Sequence, residues 1–203
     1  MTKIPRKYEG RPIVLCATGP SLTPEVVETI REFKDKVVVF GINDSYKIID
    51  FLDEFYACDT RWWNAWGEDF RKIYPYLSAW TQCEESARKF QLQHISGKHR
   101  KGFSESPGVI HYGKNSGFQA LNIAYLMGGS KFILTGYNMQ KTTKSHFFGD
   151  HPPGMNKNSP YNDFIKHFST VQLEIARNIV NCTPNTALTI FEQADLRETL
   201  CTI

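Results

Sequence analysis

Residues 12–17 (PIVLCA) are apolar without a break and stop at Thr18-Gly19-Pro20-Ser21-Leu22. A continuous run this short predicts a strand buried on both faces, as in a parallel sheet, and the Gly-Pro-Ser stop predicts a turn. A helix follows, with Thr23 as its cap, Pro24 at its first position, and an apolar face of Val26, Val27 and Ile30. Residues 37–40 (VVVF) then predict a second strand and close a βαβ unit. Further strands are predicted at 55–58 (FYAC), 78–82, 108–112 (GVIHY) and 131–135 (KFILT). Between them, Trp62, Trp63 and Trp66 fall in a helical segment whose rings either pack on the sheet or stack on a sugar. A helix over 116–127 carries Phe118, Leu121, Ala124 and Tyr125 at helical spacing, and Gly128-Gly129 ends it. Residues 84–107 are polar and weakly patterned, and read as an irregular insertion or lid. After Gly136-Tyr137-Asn138 a long loop reaches about residue 160, followed by a helix over 161–180 and a strand near 187–191.

Strands alternating with helices predict an α/β fold: a Rossmann-like, doubly wound, mostly parallel sheet. At 203 residues the chain suits one nucleotide-binding domain spanning 1–203, since a chain of this size buries roughly 70% of its unfolded surface. The formal net charge of +3 provides no dedicated nucleic-acid arm. The densest basic run, Lys98 to Lys101 with His99 and Arg100, reads as a solvated loop or a contact to a phosphate-bearing substrate or DNA. Five cysteines without CxxC pairs argue against a zinc ribbon and for a reducing compartment. The charged N-terminus is unlike a signal peptide, and no apolar run is long enough to span a bilayer. A soluble cytoplasmic protein is expected; oligomer formation is left open.

Doubly wound sheets bind ligands beyond the carboxyl ends of their strands. The first strand is followed by Thr18, Gly19, Pro20 and Ser21, where glycine allows close backbone approach and a helix N-terminus favours phosphate. Asn43 and Asp44 follow the second strand: Asn43 suits a base, ribose or phosphate contact, or an Asx turn. Asp59 follows the third, as a metal ligand, a ribose contact or a helix cap. Lys114, Asn115, Ser116 and Gly117 open the Ala-containing helix as a second anion site or an ordinary cap, and Asn138 follows a central strand. In the late loop His146, Asp150 and His151 read as a base with its orienting partner, a phosphate contact, metal ligands at a spacing that matches no standard zinc motif, or a loop folded on itself. His111 and His167, on a strand and a helix, read as structural.

Gly19-Pro20-Ser21-Leu22, Asn43, Ser116-Gly117, Gly136 with Asn138, and the HFFGDHP loop at His146 to His151 occur in an order that resembles bacterial lipooligosaccharide sialyltransferases. The same pattern is similar to the wider DUF115-like group, which includes flagellin-modifying glycosyltransferases, an archaeal hydroxymethylpterin pyrophosphokinase and short bacteriophage proteins. Carried over, the resemblance implies that Gly19, Ser21, Asn43 and Ser116 hold a nucleotide or CMP-linked sugar, without metal. His146 or His151 would deprotonate the acceptor, which is a glycan, a modified DNA base or a small molecule. The chain departs from the pattern at Thr18, where Asn is usual, at Lys114 or Asn115, where Arg is expected, and at Asn138, which replaces an acidic residue. The pyrophosphokinase side of the group implies Mg-dependent diphosphoryl transfer from a nucleoside triphosphate, with Asp44 and Asp59 as magnesium ligands. A third reading is a phage protein that binds and sequesters a nucleotide without turnover.

Overall fold

The computed structural model describes residues 2–141, 146–149 and 159–203. Its centre is three apolar strands, β1 (Pro12–Cys16), β2 (Val38–Ile42) and β8 (Lys131–Thr135). β3 (Glu54–Tyr56), β4 (Ala79–Thr81) and β5 (Gln93–His94) extend the sheet on one side, β9 (Ile179–Asn181) and β10 (Glu192–Gln193) on the other. The order is β10-β9-β8-β1-β2-β3-β4-β5, and every pairing is parallel. Parallel strands are covered on both faces, so alternate residues of one strand enter different cores. Ile13, Leu15, Val38, Phe40 and Leu134 pack beneath α4 (Ser116–Leu126), whose Phe118, Leu121 and Ile123 are fully buried. Val14, Cys16, Val39 and Ile133 face the opposite way, against Val27 and Ile30 of α1 (Pro24–Glu32). Thr23 caps α1 by accepting from the Val26 amide. The α/β, doubly wound, mostly parallel fold read from the sequence is the observed one.

The order places a topological switch between β1 and β8. From β1 the chain winds outward through β2, β3, β4 and β5, then crosses back to β8 on the other flank of β1. Successive crossovers therefore leave the β1/β8 boundary on opposite faces, opening a crevice at the carboxyl ends of these two strands.

Several elements differ from the sequence expectations. Residues 84–107 are not irregular throughout: they hold α3 (Glu84–Phe90), β5 and β6 (Ser96–Lys98), which pairs with β7 (Val109–His111) in a separate two-stranded sheet. The Trp helix, α2 (Thr60–Ile73), buries Trp62 and Trp63 in the core and packs against α3, so those two rings serve packing. The expected helix over 161–180 is instead α5 (Tyr161–Phe168), α6 (Leu173–Ala176) and β9. The break follows from Ser169 and Thr170, whose hydroxyls donate to the Lys166 and His167 carbonyls and close the first helix. No strand forms over 187–191; the strand there is β10, and Leu188 and Phe191 are core residues of the connecting loop.

At the amino end of β3, the fully buried Glu54 carboxylate accepts from Lys7 Nζ (2.9 Å), Tyr8 Oη (3.0 Å) and Trp80 Nε1 (2.9 Å). Three donors meet the cost of burying that charge, so this cluster is a closed polar knot rather than a site.

Candidate nucleotide site at the β1/β8 crevice

The turns after β1 and β8 are joined backbone to backbone. The Ala17 amide donates to Thr135 O (2.9 Å) and the Gly19 amide to Gly136 O (2.9 Å). Contact this close leaves no room for side chains: a Cβ on Gly19 would fall on the Gly136 carbonyl and Asn138 Oδ1, and one on Gly136 on the Ala17 carbonyl. Gly136 also lies at φ +74°, where glycine carries no steric penalty. Asn138 completes the junction, its Oδ1 accepting from the Ser21 hydroxyl (2.7 Å) and amide (3.3 Å).

Above this junction is an open cleft. Its walls come from Thr18, Gly19 and Pro20 after β1, Asn43 after β2, Asn115, Ser116 and Gly117 at the start of α4, Asn138 after β8, and His146. Five segments from across the chain thus meet at one place. Ser21 stands behind the cleft as the partner of Asn138. Asn115, rather than Ser116, is the cap of α4: its Oδ1 accepts from the Phe118 amide (2.8 Å), and Ser116 and Gly117 form the first turn. The positive end of an 11-residue helix therefore opens onto the cleft.

Three other candidates sit elsewhere. Asp44 is buried, its carboxylate 2.5 Å from Lys47 Nζ and accepting from Trp62 Nε1 at 3.1 Å. Asp59 is exposed at the head of α2 and makes no side-chain capping bond. Lys114 is exposed at φ +60° and pairs with Asp163 (3.2 Å). Asp150 and His151 lie outside the described residues.

His146 is held from two sides. Its Nδ1 is 3.1 Å from Thr18 Oγ1, while the Phe147 amide donates to Thr18 O (3.1 Å). The 146–149 turn closes on itself through paired His146 and Gly149 backbone bonds. The Phe148 ring stacks on the imidazole at 4.9 Å, 5° from parallel. Lys47 Nζ lies 5.3 Å from the Phe148 centroid and 3.6 Å from that of Trp66, so the ion pair with Asp44 anchors the turn bearing His146. When Nδ1–H donates to Thr18, Nε2 carries the basic lone pair.

The chain matches no protein-family model, and no curated protein matches it. Among solved structures it superposes on the Maf glycosyltransferase of Magnetospirillum magneticum AMB-1 with a TM-score of 0.61 at 12% identity, over 95% of this chain and 35% of that one. It also superposes on the sialyltransferase CstII of Campylobacter jejuni, in complex with the substrate analogue cytidine-5'-monophosphate, with a TM-score of 0.58 at 12% identity. That match covers 93% of this chain and 86% of CstII. The fold is shared with glycosyltransferases. The chain spans about a third of the Maf protein's length.

The cleft also contains residues that sequence reading missed. Met139 and Gln140 continue the β8 turn, and Tyr161 and Phe164 line the far wall one helical turn apart. The i, i+3 aromatic pair at the start of an amphipathic helix was the available signal for the latter. Among the cysteines, burial pushes the Cys16 thiol up to about 12, which makes it a small core hydrophobe rather than a nucleophile. Among the described residues, no helix is long and apolar enough to cross a membrane.

Proposed function

We propose that this chain is a glycosyltransferase-like enzyme that binds a nucleotide-activated sugar in the β1/β8 cleft and transfers the sugar to an acceptor hydroxyl. The observation that carries this reading is the convergence of an anion-favouring helix start, Ser116-Gly117, with a histidine oriented by Thr18. The nucleotide phosphate lies against the start of α4 and the Thr18-Gly19-Pro20 backbone, where fixed dipoles stabilise negative charge. Asn43 and Asn138 offer polar edges to the base and ribose. His146 takes the acceptor proton as the acceptor oxygen bonds to the anomeric carbon. The bond from that carbon to the phosphate oxygen breaks, and the nucleotide leaves with the electron pair. Helix and backbone dipoles stabilise the leaving phosphate, so its departure draws on groups already in place.

The cytidine nucleotide in the Campylobacter sialyltransferase makes CMP the first ligand to test. The competing diphosphoryl-transfer reading draws on Asp44 and Asp59 as magnesium ligands; the Asp44 carboxylate is engaged by Lys47 and Trp62, and Asp59 is exposed at the head of α2, not among the residues lining the cleft. Thermal unfolding in the presence of CMP, CDP, UDP, GDP, ADP and ATP, each with and without magnesium, separates the readings. At about 100 times its dissociation constant, CMP is expected to stabilise the protein by about 2.7 kcal/mol irrespective of magnesium. Magnesium-dependent stabilisation by ATP alone would favour diphosphoryl transfer, and no response to any nucleotide would remove the proposal.

A further inference from the structure

The rim of the cleft on the α4 and α5 side has a charge unlike the rest of the chain. Lys98 at the end of β6 and Arg100 and Lys101 in the connection to β7 are exposed, and the Tyr112 amide ties this stretch to its neighbour by donating to Lys98 O (3.0 Å). The His99 ring lies 4.5 Å from that of Tyr112, two residues before Lys114. Lys114 reaches Asp163 at 3.2 Å, and Lys166 approaches the same carboxylate at 4.0 Å. The Gly102 amide donates to Thr170 Oγ1 (2.8 Å), which fastens the basic turn beside the end of α5. The band is therefore one continuous surface, running from the turn across Lys114 to α5, and it borders the cleft where Asn115 and Tyr161 line it.

Among the described residues, Lys98, Arg100, Lys101, Lys114 and Lys166 lie along it, with the carboxylate of Asp163, which Lys114 and Lys166 approach, and that of Glu105 farther along the β6–β7 connection, a local surplus of three. The His167 imidazole is held below its ordinary value first by partial burial and then by the charge of Lys114, against the opposing pull of Asp163, with His99 adding to the lowering.

We propose that this band binds an anionic saccharide, one carrying carboxylate or phosphate groups, and leads it into the cleft as the acceptor. The proposal rests on the glycosyltransferase reading above and names its acceptor class. A donor nucleotide occupies the cleft itself, so cations outside its mouth serve whatever approaches across the rim. A local surplus of three charges matches a short anionic chain better than the roughly six to ten phosphate contacts of a strongly bound DNA duplex. Exposed cations of this kind contribute mainly through charge, so the interaction weakens with salt.

Fluorescence anisotropy with a labelled galacturonate oligosaccharide, its methyl-esterified neutral form and an oligothymidylate of equal charge tests the proposal. At low ionic strength the charged saccharide is expected to bind at least about tenfold more tightly than its ester, with the advantage shrinking as salt is added. The K98A/K101A double variant is expected to bind it about tenfold more weakly, as two exposed charge contacts allow, while keeping the wild-type thermal response to nucleotide. Equal binding of the charged and neutral saccharides, or an unaffected double variant, overturns the proposal. Tighter binding of the oligothymidylate also overturns it, and reassigns the band to nucleic acid. If no nucleotide stabilises the protein while the charged saccharide still binds through the band, the glycosyltransferase reading falls and the anion surface stands.

Discussion

Gly19→Ala is expected to abolish nucleotide binding and to destabilise the free protein by about 2–3 kcal/mol, the cost of overpacking a rigid contact. The added methyl would meet the Gly136 carbonyl and Asn138 Oδ1, and neither can withdraw. Gly136 O accepts from the Gly19 amide, and Asn138 Oδ1 is fixed by two bonds from Ser21. Relief therefore requires the two turns to part, which dismantles the floor of the cleft. Ser21→Ala provides the milder comparison: it removes one hydroxyl bond to Asn138, worth about 1 kcal/mol, and leaves the backbone junction closed. Urea denaturation and nucleotide-dependent unfolding temperature read both effects. A Gly19→Ala protein as stable as wild type would show that the junction yields more readily than its packing implies.

His146→Ala is expected to lower turnover by about a hundred- to ten-thousandfold, the usual contribution of a positioned general base, while nucleotide binding persists. Slow donor hydrolysis, followed as release of CMP from a CMP-linked sugar, provides an assay that does not depend on the acceptor. Thr18→Val separates orientation from basicity. It removes the hydroxyl that meets Nδ1 at 3.1 Å but keeps the side-chain volume, so the rate should fall with little change in donor KM. Partial rescue of His146→Ala by added imidazole would tie the lost rate to proton transfer. Full activity in the alanine variant would strike His146 from the mechanism.

The elements legible in the sequence are those whose side chains alone carry the pattern. β1, β2 and β8 are apolar throughout because two cores share them, and α1 announces itself through Thr23 and Pro24. β5 contains only Gln93 and His94, neither buried, and exists because β4 offers it an edge. No period can be read from two residues. β9 falls inside the stretch expected to be helical, since Ile175 and Ile179, four residues apart, satisfy helical spacing as well as burial. At the cleft, the residues following strands form part of the lining wherever backbone geometry puts them there: Thr18, Gly19, Asn43 and Ser116. Asp44 followed the same rule and failed it, because a partner three residues on claimed it. The chain at Asn43–Lys47 is a 3-10 helix, in which positions i and i+3 eclipse, so Asp44 and Lys47 meet by local geometry.

The central pairing of the sheet also sets when the site can exist. β1 and β8 pair in register from Pro12↔Lys131 to Cys16↔Thr135, a separation of 119 positions (131 minus 12). The cleft floor is the continuation of that pairing, so a nascent or partly refolded chain that has assembled β1 through β5 has no floor. Closing so long a loop comes at an entropic cost before any contact rewards it, which makes it a late event in folding. A bound nucleotide would thus recognise completion of the whole sheet rather than one local motif, and would slow amide exchange most at β1 and β8.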